Sequence, residues 1–357
     1  MGAPKKRRMG KSVTMAAKCL AAAALLLLAA GCDFVVQPLG GSEGRTQVYV
    51  AVGKLGAPNA GIVCTRIGCV VIDPMLSPTC GAALHTQALG KSRIFWDNLH
   101  AQQKERARTL APPVLYVLNT TFRGTHTFGN QVFDKADIIS TAKAKERLET
   151  DGRAMREELR DQWKVPGLEG HAITSATLTV DGTLTLDTPE VKIQFISVGD
   201  CAGEGDAVVY LPGQKVLFAG DIVIPGHVPY CKGRTLTVRH WIEALKVLEK
   251  WEIESVVPGH GEVGKKDAIK QQREFLEALV AAVQEQIKAG KSGDEAAQTV
   301  KLSNYSKWTR YDEWLPENVK LVYRELKGLP EQKGPAAAGV GVVTPGELER
   351  PDPFRDK

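Results

Sequence analysis

The sequence predicts a layered α/β protein, and three observations carry that reading. Short runs rich in valine and isoleucine recur along the chain, longer amphipathic stretches separate several of them, and turn residues end nearly every run. Strands that alternate with helices build sheets covered by helices, while tight glycine-containing turns add antiparallel pairs. Mixed sheets with helices outside them are therefore expected.

Bulk composition agrees but says little about chemistry. The chain has 357 residues, 43% hydrophobic and 24% charged, which is ordinary for a globular protein. Its formal charge of +5 is misleading, because Lys5, Lys6, Arg7, Arg8, Lys11 and Lys18 precede residue 32 with no acid among them. Without that segment, 40 basic residues face 41 acidic ones, so no basic surface for a nucleic acid is indicated.

Taken in order, residues 1–31 read as a signal segment: a basic stretch, then an apolar run from Cys19 to Gly31, too short to span a bilayer comfortably. "LLLLAAGC" resembles a bacterial lipobox, with Ala29 where such motifs usually carry leucine. The resemblance implies cleavage before Cys32, a lipid on its thiol, and a membrane partner in the bacterial cell envelope, with the chain facing the periplasm or the exterior. Asp33 next to it resembles an inner-membrane retention signal. Residues 32–45 then read as a tether, 46–329 as one domain, and 330–357, rich in Pro, Gly and charge, as a disordered tail.

Within the domain, strands are expected at "QVYVAVG", "AGIVCT", "CVVIDP", "VLYVLNT", "ATLTVDGTLTL", "VKIQFISVG", "AVVYLPGQKVLFAGD" and "ESVVPGH", with hairpins at "VDG" and "LPGQ". Helices are expected at "KSRIFWDNLHAQQKERAR", "DIISTAKAKERLETDGRAMREELRDQW", "TVRHWIEALKVLEKW", "KKDAIKQQREFLEALVAAVQEQIKAG", which stops at Gly290, and "LPENVKLVYRELKG". Five cysteines follow Cys32: Cys64, Cys69, Cys80, Cys201 and Cys231. A two-residue turn at Arg66-Ile67 places Cys64 opposite Cys69, either as an oxidised pair or as two buried thiols, and the sequence leaves both open.

Four polar loops each end an apolar strand: "NTTFRGTHTFGN", "VGDCAGEGD", "FAGD" and "VVPGH". Loops at one sheet edge converge in layered α/β proteins, which brings His126, Asp221 and His260 together. In these segments, and in "VVIDP" and "GDAVVYLPGQKVLFAGD", the chain resembles the metallo-β-lactamase superfamily, in order and spacing, from about Gln47 to Gly328. The resemblance implies a four-layer αββα sandwich with a metal site at one sheet edge and, if active, a metal-dependent hydrolase.

Measured against the family's H-x-H-x-D-H loop, the chain departs sharply. Thr121, Arg123 and Thr125 stand where two histidines and an aspartate belong, and Ala202 stands where a further histidine does. His126, Asp221 and His260 match. The resemblance thus implies that one metal position has lost every ligand of its own, while the other keeps three of four. These three residues read either as a hydrogen-bonded remnant or as a site for one zinc or iron ion completed by water.

Arg123 is permanently charged, so it can stand in for the missing cation, pair with Asp221 or attract a small anionic ligand. It cannot ionise a bound water as zinc does. Asp73 resembles the family aspartate that orients a ligand histidine, and equally suits a cap for the turn before Pro74. Cys201, beside Ala202, can supply a fourth ligand only if its loop bends, since strand alternation points it elsewhere; His227 follows Asp221 closely enough to reach the pocket or else reads as an exposed loop histidine, and Asp206 reads as shaping its loop. The expected function is an anchored, catalytically impaired hydrolase homologue that binds a small anion or an envelope protein. Its alternative is an active single-metal hydrolase using His126, Asp221 and His260.

Overall fold

The computed structural model describes residues 32–39, 47–54, 56–100, 113–229, 231 and 238–329. The expected signal segment and disordered tail lie outside them. One sheet runs in the order β1 (Phe34–Pro38), β2 (Gln47–Gly53), β3 (Ala60–Cys64), β4 (Cys69–Ile72), β5 (Val114–Leu118), β6 (Asp137–Ser140), β7 (Leu178–Thr179). The other runs β12 (Ser255–Pro258), β11 (Val216–Gly220), β10 (Asp206–Leu211), β9 (Lys192–Gly199), β8 (Thr183–Asp187). Both sheets are mixed, with parallel pairs from β4 to β7 and at β11–β12.

Strand alternation explains the layers. On β2, Val48, Val50 and Val52 join Ile193, Phe195, Val209 and Phe218 of the second sheet in one buried cluster, while Tyr49 and Ala51 face the opposite way. That outer face is covered by α1 (Pro78–His100) and α3 (Ala142–Asp161), through Leu84, Ala88, Phe95, Leu148 and Met155. The second sheet is covered by α4 (Val238–Leu248), α5 (Asp267–Lys288) and α7 (Tyr311–Lys327), with α6 (Gly293–Thr299) packed on α7. The result is the expected αββα sandwich.

Helix limits follow local chemistry. Thr141 caps α3 by accepting from the Ala144 amide, and α5 buries Ile269, Gln272, Phe275, Leu276, Leu279 and Val283 along one stripe. Gly290, just past its end, has φ +73°, a conformation that costs other residues more.

Several expectations need correcting. Residues 34–38, assigned to a tether, form β1, paired with β2, because Phe34 and Val36 pack into the helix-side core while Val35 stays exposed. "DIIS" is β6, not helix, and the first long helix begins at Pro78 rather than Lys91. "VDG" is not a hairpin: β7 belongs to one sheet and β8 to the other, so the chain crosses between sheets there.

The cysteines divide by layer. Cys32 is bonded through sulfur to Cys80 at the start of α1. One sulfur carries either a lipid thioether or a disulfide, so the two fates of Cys32 exclude each other. Cys64 and Cys69 are register partners whose Sγ atoms stand 2.7 Å apart as thiols.

Candidate functional site

The site forms where strand ends from both sheets meet. After β5, the chain turns through residues 119–122 and enters α2 (Gly124–Thr127), a single turn with Arg123 before its first residue and His126 within it. Asp221 directly follows β11, and His260 follows β12 by two residues. Because β11 and β12 are parallel neighbours with Gly220 opposite Pro258, their C-terminal ends deliver both side chains to the same edge.

Two glycines permit the approach. A Cβ on Gly259 would fall 2.2 Å from Asp221 Oδ1, and one on Gly220, at φ +54°, would fall 2.3 Å from Thr120 Oγ1. Any side chain at either position would push the loops apart.

Asp221 is the hub. Its Oδ2 accepts a hydrogen bond from Arg123 Nη1 at 2.6 Å, and Oδ1 stands 3.1 Å from His126 Nε2 and 3.4 Å from His260 Nε2. Arg123 Nη2 donates to the Ala202 carbonyl, so the guanidinium bridges the hub and the loop after β9. The pairing expected for Arg123 is present, and the side chain is only 1% exposed.

Asp73, at the end of β4 with φ +53°, accepts from the Thr120 amide at 2.8 Å and the Thr120 hydroxyl at 2.6 Å. The same carboxylate stands 3.3 Å from His126 Nδ1, within ion-pair range but not aligned as a hydrogen bond. His260 Nδ1 donates to the Gly56 carbonyl at 2.7 Å, which fixes the tautomer and leaves Nε2 with a lone pair toward Asp221.

Charge balance follows from these contacts. Burial alone would raise the Asp221 pKa, but the charges of Arg123 and His126 hold its carboxyl well below the ordinary range. Burial disfavours a charged His126, yet Asp221 and Asp73 outweigh it and raise its pKa to about 10. For His260 burial wins, and the value falls to about 4. Arg123 and His126 thus bind Asp221 from two sides, with Asp73 standing behind His126. Asp206, which accepts from the Gly203 amide at 2.7 Å, is raised to about 6 by burial against the opposing charge of Arg123.

The donor set also fits one metal ion. Ligand atoms of His126, Asp221 and His260 all lie within 4.8 Å of one another, and His260 Nε2 is buried with no hydrogen-bond partner. Cys201 is not among them; its thiol faces the Val198 carbonyl at 3.6 Å. His227 is bonded to its own loop at the Pro225 carbonyl, 3.1 Å away, and lies beside the His260 loop. Trp241 serves packing, and its indole donates to the Ile222 carbonyl at 3.0 Å.

Two supporting groups escaped the sequence reading. Asn59 donates to the carbonyls of Pro258 and Gly261, clamping the His260 loop, and the Gly56 carbonyl holds His260 itself. An asparagine in "APNAG" reads only as a turn residue, and a backbone carbonyl leaves no sequence signal.

The chain belongs to the metallo-beta-lactamase superfamily, whose family model matches residues 53–260, a span that ends on the last histidine of the site. Among solved structures, it is similar to the stereoselective inverting sec-alkylsulfatase Pisa1 from Pseudomonas sp., with a TM-score of 0.58 and 18% identity over 80% of this chain and 51% of that one. A double mutant of the same sulfatase gives a TM-score of 0.59 and 17% identity over the same shares. The metallo-β-lactamase FIM-1 from Pseudomonas aeruginosa, in its mono-zinc form, gives 0.50 and 13% identity over 69% of this chain and 96% of that one. The chain spans about half the length of the two sulfatase structures, and at these identities the likeness shows the fold alone. No curated protein sequence matches it.

Proposed function

We propose that the chain is a metallo-β-lactamase-fold protein whose hydrolytic chemistry is impaired, and which acts by binding a small anionic ligand or an envelope protein. One observation carries this reading: the guanidinium of Arg123 is hydrogen-bonded to Asp221, the carboxylate that by family resemblance bridges two metals. A guanidinium neutralises that carboxylate but has no ionisable water to offer as nucleophile. Thr121 and Ala202, where the resemblance places histidines, supply no imidazole to compete with it.

A second reading is favoured by the close grouping of His126, Asp221 and His260. Here these three hold one zinc or iron ion, and the ion supplies a hydroxide near neutral pH when bound. The chain's own part is to present two imidazole nitrogens and one carboxylate, with Asp73 behind His126 and the Gly56 carbonyl behind His260.

Reconstituting metal-free protein with zinc and counting bound ions separates the two. The first reading expects less than one zinc per chain and no hydrolysis of ester, lactam or sulfate-ester substrates. One zinc per chain, lost in a His126→Ala, His260→Ala double variant and accompanied by turnover, would establish the second instead.

Export to the envelope is part of the proposal, supported by the basic and apolar leader pattern and by the Cys32–Cys80 bond, a linkage that persists in oxidising compartments. Lipid anchoring is a separate proposal. Intact mass of the membrane-extracted protein reads whether Cys32 carries acyl chains or Cys80.

A further inference from the structure

We propose that Cys64 and Cys69 are a modification site, closing as a second disulfide across the β3–β4 hairpin by exchange with an external disulfide. The two residues are direct register partners in an antiparallel pair, and their Sγ atoms stand 2.7 Å apart. Antiparallel partners hold their Cα atoms within roughly 5.5 Å, inside the range that a disulfide bridges without moving the backbone. The turn between them is fixed by the Thr65 amide donating to the Gly68 carbonyl at 2.9 Å, and by the Thr65 hydroxyl donating to the same oxygen at 2.8 Å. Closure therefore needs no rearrangement of the hairpin.

The same helix-side core already contains the Cys32–Cys80 bond, so four cysteines in one layer form two bonded pairs. Cys201 and Cys231 pack in the other layer, against the second sheet. In the exchange, one thiolate attacks the external disulfide and releases one of its thiols. The second thiolate then attacks the mixed disulfide and releases the other. Two protons leave the protein, and two electrons reduce the external disulfide to two thiols.

Both sulfurs are fully buried, and the Cys69 thiol donates to the Ala88 carbonyl of α1 at 3.6 Å. An external disulfide cannot reach them in the folded chain. Closure thus belongs to folding, after the hairpin forms and before α1 covers it. The bond would fix β4, whose next residue is Asp73 of the site.

The chain carries convenient cleavage points for the test. Arg66 separates Cys64 from Cys69, and Met75 separates Cys69 from Cys80. Full-length protein, denatured and refolded with oxidised and reduced glutathione, is alkylated without reductant and cut with trypsin and cyanogen bromide. The expected product joins the peptide ending at Arg66 to the one beginning at Ile67, at a mass 2 Da below their sum, with Cys201 and Cys231 alkylated. A Cys64→Ser variant must lose that product and show Cys69 alkylated. Recovery of Cys64 and Cys69 only as alkylated thiols, or joined to other cysteines, overturns the proposal.

Discussion

At the scale of single residues, Arg123 decides the character of the site. Replacing it with methionine leaves Asp221 buried with one cation fewer, and the expected loss is about 3 kcal/mol of stability by urea denaturation. Added zinc should return part of that loss to the variant and nothing to the parent. A variant as stable as the parent would show the pair to be dispensable. His171 gives a pH prediction. Burial, with the charge of Arg156 second, lowers its pKa to about 4, while the unfolded chain titrates near 6.5. Its contribution is intact above pH 6.5 and is lost as pH falls from there to about 4. His171→Gln should flatten stability between pH 7 and pH 4.5; an unchanged slope would assign the acid sensitivity elsewhere. His126, Asp221 and His260 were legible because each lies in the loop that follows an apolar strand, within a recognisable frame, and Asp73 because it ends "VVID". The Asn59 clamp was not, since hydrogen bonds across some 200 residues of sequence leave no local pattern.

At the scale of elements, the strands buried on both faces were the most legible. "VYVAV" and "AVVYL" are unbroken apolar runs because one sheet face meets the other sheet and the other meets helices. Elements with weak periodicity were lost. The first turns of α1 contain Gly81, and β1 is an edge strand of five residues that a composition rich in turn formers disguises as linker. The disulfide explains how so short an edge strand stays in place, because it ties Cys32 to a helix 48 residues on. Cys80→Ser should cost about 4 kcal/mol from that loop length, with faster amide exchange confined first to residues 34–38. Uniform acceleration across the first sheet would contradict a local role for the bond.

At the scale of the whole molecule, two sheets share one dry interior, and its integrity sets overall stability. Phe195 is fully buried there, and Phe195→Ala should cost about 3–5 kcal/mol without altering the hydrogen-bonded register of β9 and β10. Loss of less than about 1 kcal/mol would mean that the sheets close over the gap. The sequence pattern conveyed this architecture through the order of its pieces, but not the crossing at residues 180–182, because a change of sheet and a hairpin use the same turn residues. Arg123 has a last consequence for the molecule in its surroundings. A dissolved ion occupies a protein in proportion to its supply, whereas a side chain is always present at its own effective concentration. The position that Arg123 fills should therefore be indifferent to scarcity: growth in metal-starved medium, or prolonged exposure to a strong chelator, should leave this face of the fold intact.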